Sequence, residues 1–341
     1  MLDEGFIRGM PKTELHMHLE GSMEPETTFE MARRNGIRLR WDSPEALREA
    51  YRFEGLAPFL ELYFEACTVL RSERDFYDVA KAYLRRARQD GVVHAEIFFG
   101  PQTFLDRNVP IAAMMDGILD ALDEATGPDL AAGLLISVHR HRSEAEALDV
   151  LRRIEPWAGR VLGIGMGGAE IGNPPARFVN FFAACRAAGF RTTVHAGEEG
   201  PPAYVREAID LLHVLRVDHG VAAAQDPALV ANLAARAIPL TVCPLSNLRL
   251  KVVETLAAHP LKELLDAGVC VTVNSDDPPY FGGWVTENLV ACQQELGLSP
   301  DDIVRLVRNG FAAAFISDAE RERGLGRLDR YVRSYGTASG T

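Results

Sequence analysis

No apolar run in this chain approaches the roughly 18 uninterrupted residues that a membrane-spanning helix needs. The five cysteines, Cys67, Cys185, Cys243, Cys270 and Cys292, are odd in number and widely spaced, without a CxxC pair. That pattern offers neither a zinc ribbon nor a dithiol redox motif and leaves the thiols as small buried hydrophobes. Near the N-terminus, Asp3 and Glu4 stand where a secretory signal carries positive charge, and no apolar segment follows, so a cytoplasmic protein is expected. Positive charge is short throughout: 36 Lys and Arg face 48 Asp and Glu, a formal net charge of -12. Nucleic-acid binding draws most of its affinity from basic surface, so a small neutral substrate fits this chain better than a polyanion. Lysine is the scarcest base. Only Lys12, Lys81, Lys251 and Lys262 occur, and none lies between Lys81 and Lys251.

What is present is the composition of a globular protein, 47% hydrophobic and 25% charged over 341 residues. Strand-like apolar runs fall at 13–18, 92–99, 133–138, 161–166, 191–194, 214–217, 240–242 and 270–273. Segments with apolar residues at helical spacing lie between them, at 111–124, 143–154, 176–188, 205–212, 227–235 and 260–267. Four more, at 26–34, 44–50, 58–70 and 73–89, precede the second strand. Eight alternating units with near-continuous apolar strands predict an α/β fold, a closed (β/α)8 TIM-type barrel, with a helical insertion after strand one at about 24–90. A doubly wound open sheet is the alternative. Against it, no GxGxxG follows an early strand; Gly163-Ile164-Gly165-Met166-Gly167-Gly168 lies in strand four and its exit loop, where it either lets backbone approach a ligand closely or forms a glycine-rich turn with no ligand. With no Pro/Ser-rich linker, low-complexity run or repeat, residues 1–341 are expected to form a single hydrolase barrel domain whose tail, Ser334 to Thr341, is disordered.

The run Thr13-Glu14-Leu15-His16-Met17-His18 sets two histidines one residue apart. Side chains at i and i+2 of a strand share a face, so His16 and His18 project together, and neutral imidazole is the commonest protein donor to a divalent transition metal. A barrel of this kind keeps its chemistry at the C-terminal ends of its strands. There the sequence places His16 and His18, His195 followed by Ala196-Gly197-Glu198-Glu199, then Asp218-His219, then Asn274-Ser275-Asp276-Asp277. His16, His18, His195 and Asp276 make a ligand set for Zn²⁺, with Zn–N distances of about 2.0–2.1 Å and a further position for a water whose pKa the metal lowers toward ~7. His219 can take the water proton and hold the oxygen in line; Glu198 can reach inward as a general acid. Taken singly, His219 reads first as a structural residue bonded to Asp218, and Glu198 and Glu199 as solvent-facing; together they are less easily read that way. The second HxH, His139 and His141, supplies rival ligands, while His94, His213 and His259 read as structural or surface residues. Two-metal barrel hydrolases bridge their ions with a carboxylated lysine at the end of strand four. The lysine-free stretch therefore predicts a single metal.

With those residues in place, the chain resembles the adenosine/adenine deaminase family of the amidohydrolase superfamily, from about Pro11 to Ser317. The resemblance rests on Pro11-Lys12-Thr13-Glu14-Leu15-His16-Met17-His18-Leu19-Glu20-Gly21, His195-Ala196-Gly197-Glu198-Glu199-Gly200-Pro201-Pro202, Asp218-His219-Gly220, Cys243-Pro244-Leu245-Ser246-Asn247 and Asn274-Ser275-Asp276-Asp277-Pro278. It implies the four ligands named above, one Zn²⁺ per chain, and hydrolytic removal of the 6-amino group of an adenine-type purine as ammonia. It further implies protonation of purine N1 by Glu198, attack of an activated water at C6 with His219 as base, and a hydrogen bond from Asp277 to N7. The backbone near Gly168, with Glu170, would meet the pyrimidine edge. Attack at C6 puts negative charge on the ring, so an acid at N1 acts where that charge develops.

Glu20, Glu199-Gly200-Pro201-Pro202 and Pro279-Tyr280-Phe281-Gly282-Gly283 are similar to the adenine deaminase branch, which acts on the free base. Gly100 stands where that branch carries Asp, and Gly167-Gly168-Ala169-Glu170 where it carries an acidic-Ser-Ser-Glu run; the Gly-Gly pair is closer to deaminases of adenine nucleosides, including aminodeoxyfutalosine. The expectation is a 6-aminopurine, free adenine ahead of nucleosides, aminodeoxyfutalosine and N6-substituted adenines. No nucleic-acid or membrane partner is expected. A non-catalytic metal-binding barrel and a deaminase of a pterin or cytosine amine are the readings of other classes. The intact acid, base and ligands speak against the first, and the N1 and N7 contacts against the second.

Overall fold

The computed structural model describes residues 4–338. Eight strands, β1 (Lys12–His18), β2 (Val92–Phe99), β3 (Ala131–His139), β4 (Val161–Gly167), β5 (Arg191–Ala196), β6 (Arg216–His219), β7 (Leu240–Val242) and β8 (Val271–Val273), follow one another in chain order around one sheet. Every neighbouring pair is parallel, with helices in the connections, so the expected (β/α)8 barrel is what forms. Buried on both faces, β2, β3 and β4 are mostly apolar, whereas β1, β5 and β6 carry buried polar residues.

The ring closes between β8 and β1. Met17 and Asp276 form a parallel bridge, Asp276 N–H donates to His16 O at 2.9 Å, and His18 N–H donates to Asp276 O at 3.0 Å. Side chains reinforce the seam: Leu15 N–H donates to Asn274 Oδ1 at 2.9 Å, and the Ser275 hydroxyl to Glu14 Oε2 at 2.6 Å. The residues that close the barrel are therefore those expected to bind metal.

Three boundaries differ from expectation. The sixth strand lies two residues later, at Arg216–His219, because Leu215 is 53% exposed and pairing begins with Arg216 against Thr193. The helix Glu73–Gln89, expected within the insertion, instead packs along Ile111–Ala125 in the outer ring and against β2, burying Phe76, Val79, Tyr83 and Leu84; the extra helices end before it. The tail expected to be disordered continues the helix Asp318–Ala338, and residues 339–341 lie outside the described residues. Two further helices, Val285–Glu295 and Pro300–Ala313, complete the last unit, the second behind a Ser299/Asp302 capping box. No helix among the described residues is long and apolar enough to cross a membrane.

Across the barrel interior, Arg216 Nη1 lies 2.7 Å from Glu96 Oε2 with both side chains fully buried, and the guanidinium sits 4.4 Å from the Phe315 ring centroid. Burial alone would raise the Glu96 carboxyl, but Arg216 and His94 together outweigh it and hold the carboxyl below its usual range. A depressed carboxylate contributes stability above its unfolded pKa and loses it as pH falls through the native one. Glu96→Gln leaves buried Arg216 with only the more distant Asp218 carboxylate, 3.7 Å from its Nε, as counter-charge. Unfolding in urea should show ~3–5 kcal/mol less stability with an unchanged slope.

Candidate active site

Alternation along β1 turns His16 and His18 to the barrel axis, where they meet His195 from β5 and Asp276 from the β8 exit. His16 Nε2 lies 3.0 Å from His195 Nε2, and His18 Nε2 lies 3.2 Å from the same atom. Asp276 Oδ1 is 3.7 Å from His16 Nε2 and 3.4 Å from His18 Nε2. Four donors around a tetrahedral ion at ~2.0–2.1 Å stand about 3.3 Å apart, so these spacings fit a single cation.

The donor chemistry points the same way. His16 Nδ1 lies 3.1 Å from the Thr241 carbonyl, which can only accept, so Nδ1 carries the proton and Nε2 presents a lone pair. His195 Nδ1 likewise faces Asp218 Oδ2 at 3.4 Å. Two such lone pairs 3.0 Å apart repel unless a cation lies between them. Burial lowers the His16 pKa well below normal and that of His18 to about 4, keeping both rings neutral and ready to ligate. Cys243 has its sulfur within 4.8 Å of His16 and Asp276 donors, yet burial raises its thiol pKa far above normal, which leaves it protonated.

Phe98 forms the floor, its ring centroid 5.3 Å from that of His16, 5.2 Å from His18 and 5.4 Å from His195. A Cβ on Gly165 would come within 2.7 Å of Phe98 Cε1, so this glycine of the β4 run makes room for the floor rather than for a ligand. Asp218 holds its place through hydroxyl donors, Thr193 at 2.7 Å and Thr241 at 2.9 Å. It pairs with His195, not with His219 as the structural reading of that residue supposed. His219 faces inward with Nε2 3.6 Å from Glu198 Oε2 and 3.9 Å from Asp276 Oδ2, and Asn247 Nδ2 stands 3.5 Å behind its Nδ1. Both His219 and Asp276 have φ of 63°, an uncommon conformation for residues with side chains and one found where a site fixes its backbone.

These groups form one end of a cleft walled by Leu56, Phe59, Tyr63, Phe64, Leu250 and Phe281. Burial, with Asp276 and Glu170 adding to it, raises the Glu198 carboxyl pKa well above normal. Asp277 lines the same cleft, and its Oδ1 has no protein partner. Gly21 must be glycine beside it, since a Cβ there would stand 1.5 Å from that oxygen. Gly167 and Gly168 line the cleft wall. Glu20 lies just behind: its Oε1 accepts the Gly100 N–H at 2.8 Å, its Oε2 is unpartnered, and burial raises its pKa to about 7.

Two expectations change. His139 and His141, the rival ligands, stack on each other 5.2 Å apart and stand outside the donor cluster; His139 lines the cleft instead. Glu170 does not line the cleft: its carboxylate is 1% exposed and accepts four consecutive backbone N–H groups, from Gly197 to Gly200, at 2.7–2.9 Å. It cannot also serve the base edge. The floor at Phe98, the Thr241 and Asn247 supports and buried Arg140 were not foreseen. Nothing in apolar periodicity marks them, although Cys243-Pro244-Leu245-Ser246-Asn247 already stood out as a motif.

The Adenosine deaminase family model matches residues 11–331. The chain belongs to the adenosine deaminase family. It is 60% identical over 337 residues to an adenine deaminase of Rhodopseudomonas palustris, covering 98% of each chain, and 48% identical to one of Caulobacter vibrioides, covering 97% of this chain and 96% of that one. Among solved structures it is similar to the adenine deaminase of Arthrobacter aurescens, with 42% identity, a TM-score of 0.93, and coverage of 95% of this chain and 99% of that one. An amidohydrolase of Burkholderia ambifaria with bound zinc aligns at 29% identity and a TM-score of 0.89, covering 98% of this chain and 94% of that one. As a member of this family the chain is a hydrolase of C–N bonds in cyclic amidines.

Proposed function

We propose that this chain converts adenine and water to hypoxanthine and ammonia, preferring the free base to adenine nucleosides. The observation that carries the reading is the meeting of four donors, His16, His18, His195 and Asp276, with Glu198 and His219 at one end of an apolar cleft. The four donors would hold one divalent ion, zinc by donor type. That ion supplies Lewis-acid activation of the water nucleophile when bound.

The protein's own groups do the rest. The apolar walls at Phe59, Phe64, Leu250 and Phe281 sandwich a flat ring and exclude bulk water. Glu198, kept protonated by burial, delivers its proton to N1 as the ring gains electron density. His219 steadies the attacking water and takes one of its protons, which then passes to the departing amine, while the remaining hydroxyl proton returns to Glu198 as the C6–N bond breaks and the carbonyl forms. Asp277 hydrogen-bonds N7 through its free oxygen, and the Gly168 backbone faces the pyrimidine edge. Glu20, with one oxygen unpartnered, favours the N–H of a free base at the far end. The relatives named adenine deaminase support the same substrate. Gly100 and Gly168, where the sequence departs from the free-base branch, are the features that favour a larger nucleoside.

Adenine, adenosine, aminodeoxyfutalosine and N6-substituted adenines compared side by side should give the highest kcat/KM for adenine. A nucleoside better by more than tenfold, ~1.4 kcal/mol of transition-state binding, would reverse the ranking. Ammonia release from none of them would overturn the purine reading.

A further inference from the structure

We infer that Glu170, anchored by Arg140, is a positioning residue that sets the Glu198 carboxyl in the cleft; this rests on the reading of Glu198 as the acid. Glu170 follows β4 and contributes no atom to the cleft wall. Its Oε1 accepts Gly197 N–H at 2.7 Å, while Oε2 accepts Glu198 at 2.9 Å, Glu199 at 2.8 Å and Gly200 at 2.8 Å. Four successive amides aimed at one carboxylate make an anion nest, which ordinarily receives a ligand and here receives a side chain of the same chain.

The local sequence is built for that contact. Gly197 has φ of 70°, the left-handed turn that swings the following amides onto one point. A Cβ on Gly200 would approach Glu170 Cδ to 2.8 Å, so only glycine allows the carboxylate so close. On its other side, Arg140 is fully buried, with Nη1 donating to His195 O at 2.6 Å and lying 3.5 Å from Glu170 Oε1, and Nε donating to Asn173 O at 2.8 Å. Asn173 closes the loop by donating from Nδ2 to Ala169 O at 3.0 Å. Arg140 thus ties the exits of β3, β4 and β5 together, and Glu170 carries that rigidity to the backbone of Glu198. A peptide loop alone, free to rotate about Gly197, would let the acid drift from N1.

The test compares Glu170→Gln in wild type and in Glu198→Gln, with adenine as substrate. Gln keeps the shape but sets an amide N–H against backbone donors, so the nest loosens. The inference expects kcat to fall on the order of 10²-fold, the scale of a 1 Å misplacement, with KM and metal content near wild type. In the Glu198→Gln background the same change should add no further loss, because the group being positioned is gone. Gly200→Ala pushes the carboxylate away without altering any charge and should repeat both results, including where Glu170→Gln fails to fold. Losses that multiply in both backgrounds, or a folded variant with unchanged kcat, would overturn the positioning role alone. A Glu198→Gln enzyme as fast as wild type would overturn the acid itself, and this inference with it.

Discussion

Asp276→Ala and His195→Ala should each yield folded protein that retains no stoichiometric metal and has lost at least ~10⁴ in kcat, the combined worth of the activated nucleophile and its charge stabilisation. The fold should survive because the barrel seam uses the backbone of Asp276, through its N–H to His16 and its carbonyl to His18, rather than the carboxylate. Elemental analysis of the wild type should find close to one zinc per chain, and a chelator should lower its Tm toward that of Asp276→Ala, since a ligand bound only by the native state stabilises it by mass action. Asp218→Asn should be milder, with metal affinity reduced ~10–100-fold, because that side chain faces His195 Nδ1 at 3.4 Å and does not join the donors. Two ions per chain, or full activity after chelation, would end the single-metal reading.

The donor set was legible for a physical reason. A strand repeats every two residues, so His16 and His18 must share a face wherever β1 lies, and strand ends that finish in His195, Asp218-His219 and Asn274-Ser275-Asp276-Asp277 are too polar for a barrel core. Less legible was anything fixed by partners distant in sequence. Glu170 reads equally well as a substrate contact or a loop anchor until its four amides, 27 to 30 residues away, are placed around it. Gly165 looked like space for a ligand, and only the ring of Phe98 shows what occupies that space. Asp218 seemed a partner for its neighbour His219, but consecutive strand residues face opposite ways, and its carboxylate turns to His195 and two threonines. Helix Glu73–Gln89 was misplaced for the opposite reason: its amphipathic pattern was clear, yet pattern alone does not say which neighbour the apolar face meets.

Glu198→Gln is expected to keep adenine binding and metal while kcat falls ~10²–10⁴-fold, the usual loss when a general acid is removed. Gln fills the same volume and can donate a hydrogen bond to N1, so it preserves the ground-state contact, but it has no proton to transfer as C6 becomes tetrahedral. The loss should therefore appear in kcat with little change in KM. Glu199→Gln provides the contrast. Glu199 is exposed and does not line the cleft that Glu198 lines, so its replacement should leave kcat nearly unchanged. The pH profile carries the sign. Burial, with the Asp276 and Glu170 charges adding to it, raises the Glu198 pKa well above the usual carboxylate range, so the wild-type rate should fall as rising pH strips that proton through the raised pKa. In Glu198→Gln the alkaline limb should disappear along with most of the activity. Were Glu199→Gln the crippled enzyme and Glu198→Gln the normal one, the acid would lie one residue further along the loop, and the side chain 3.6 Å from His219 would have only a structural part.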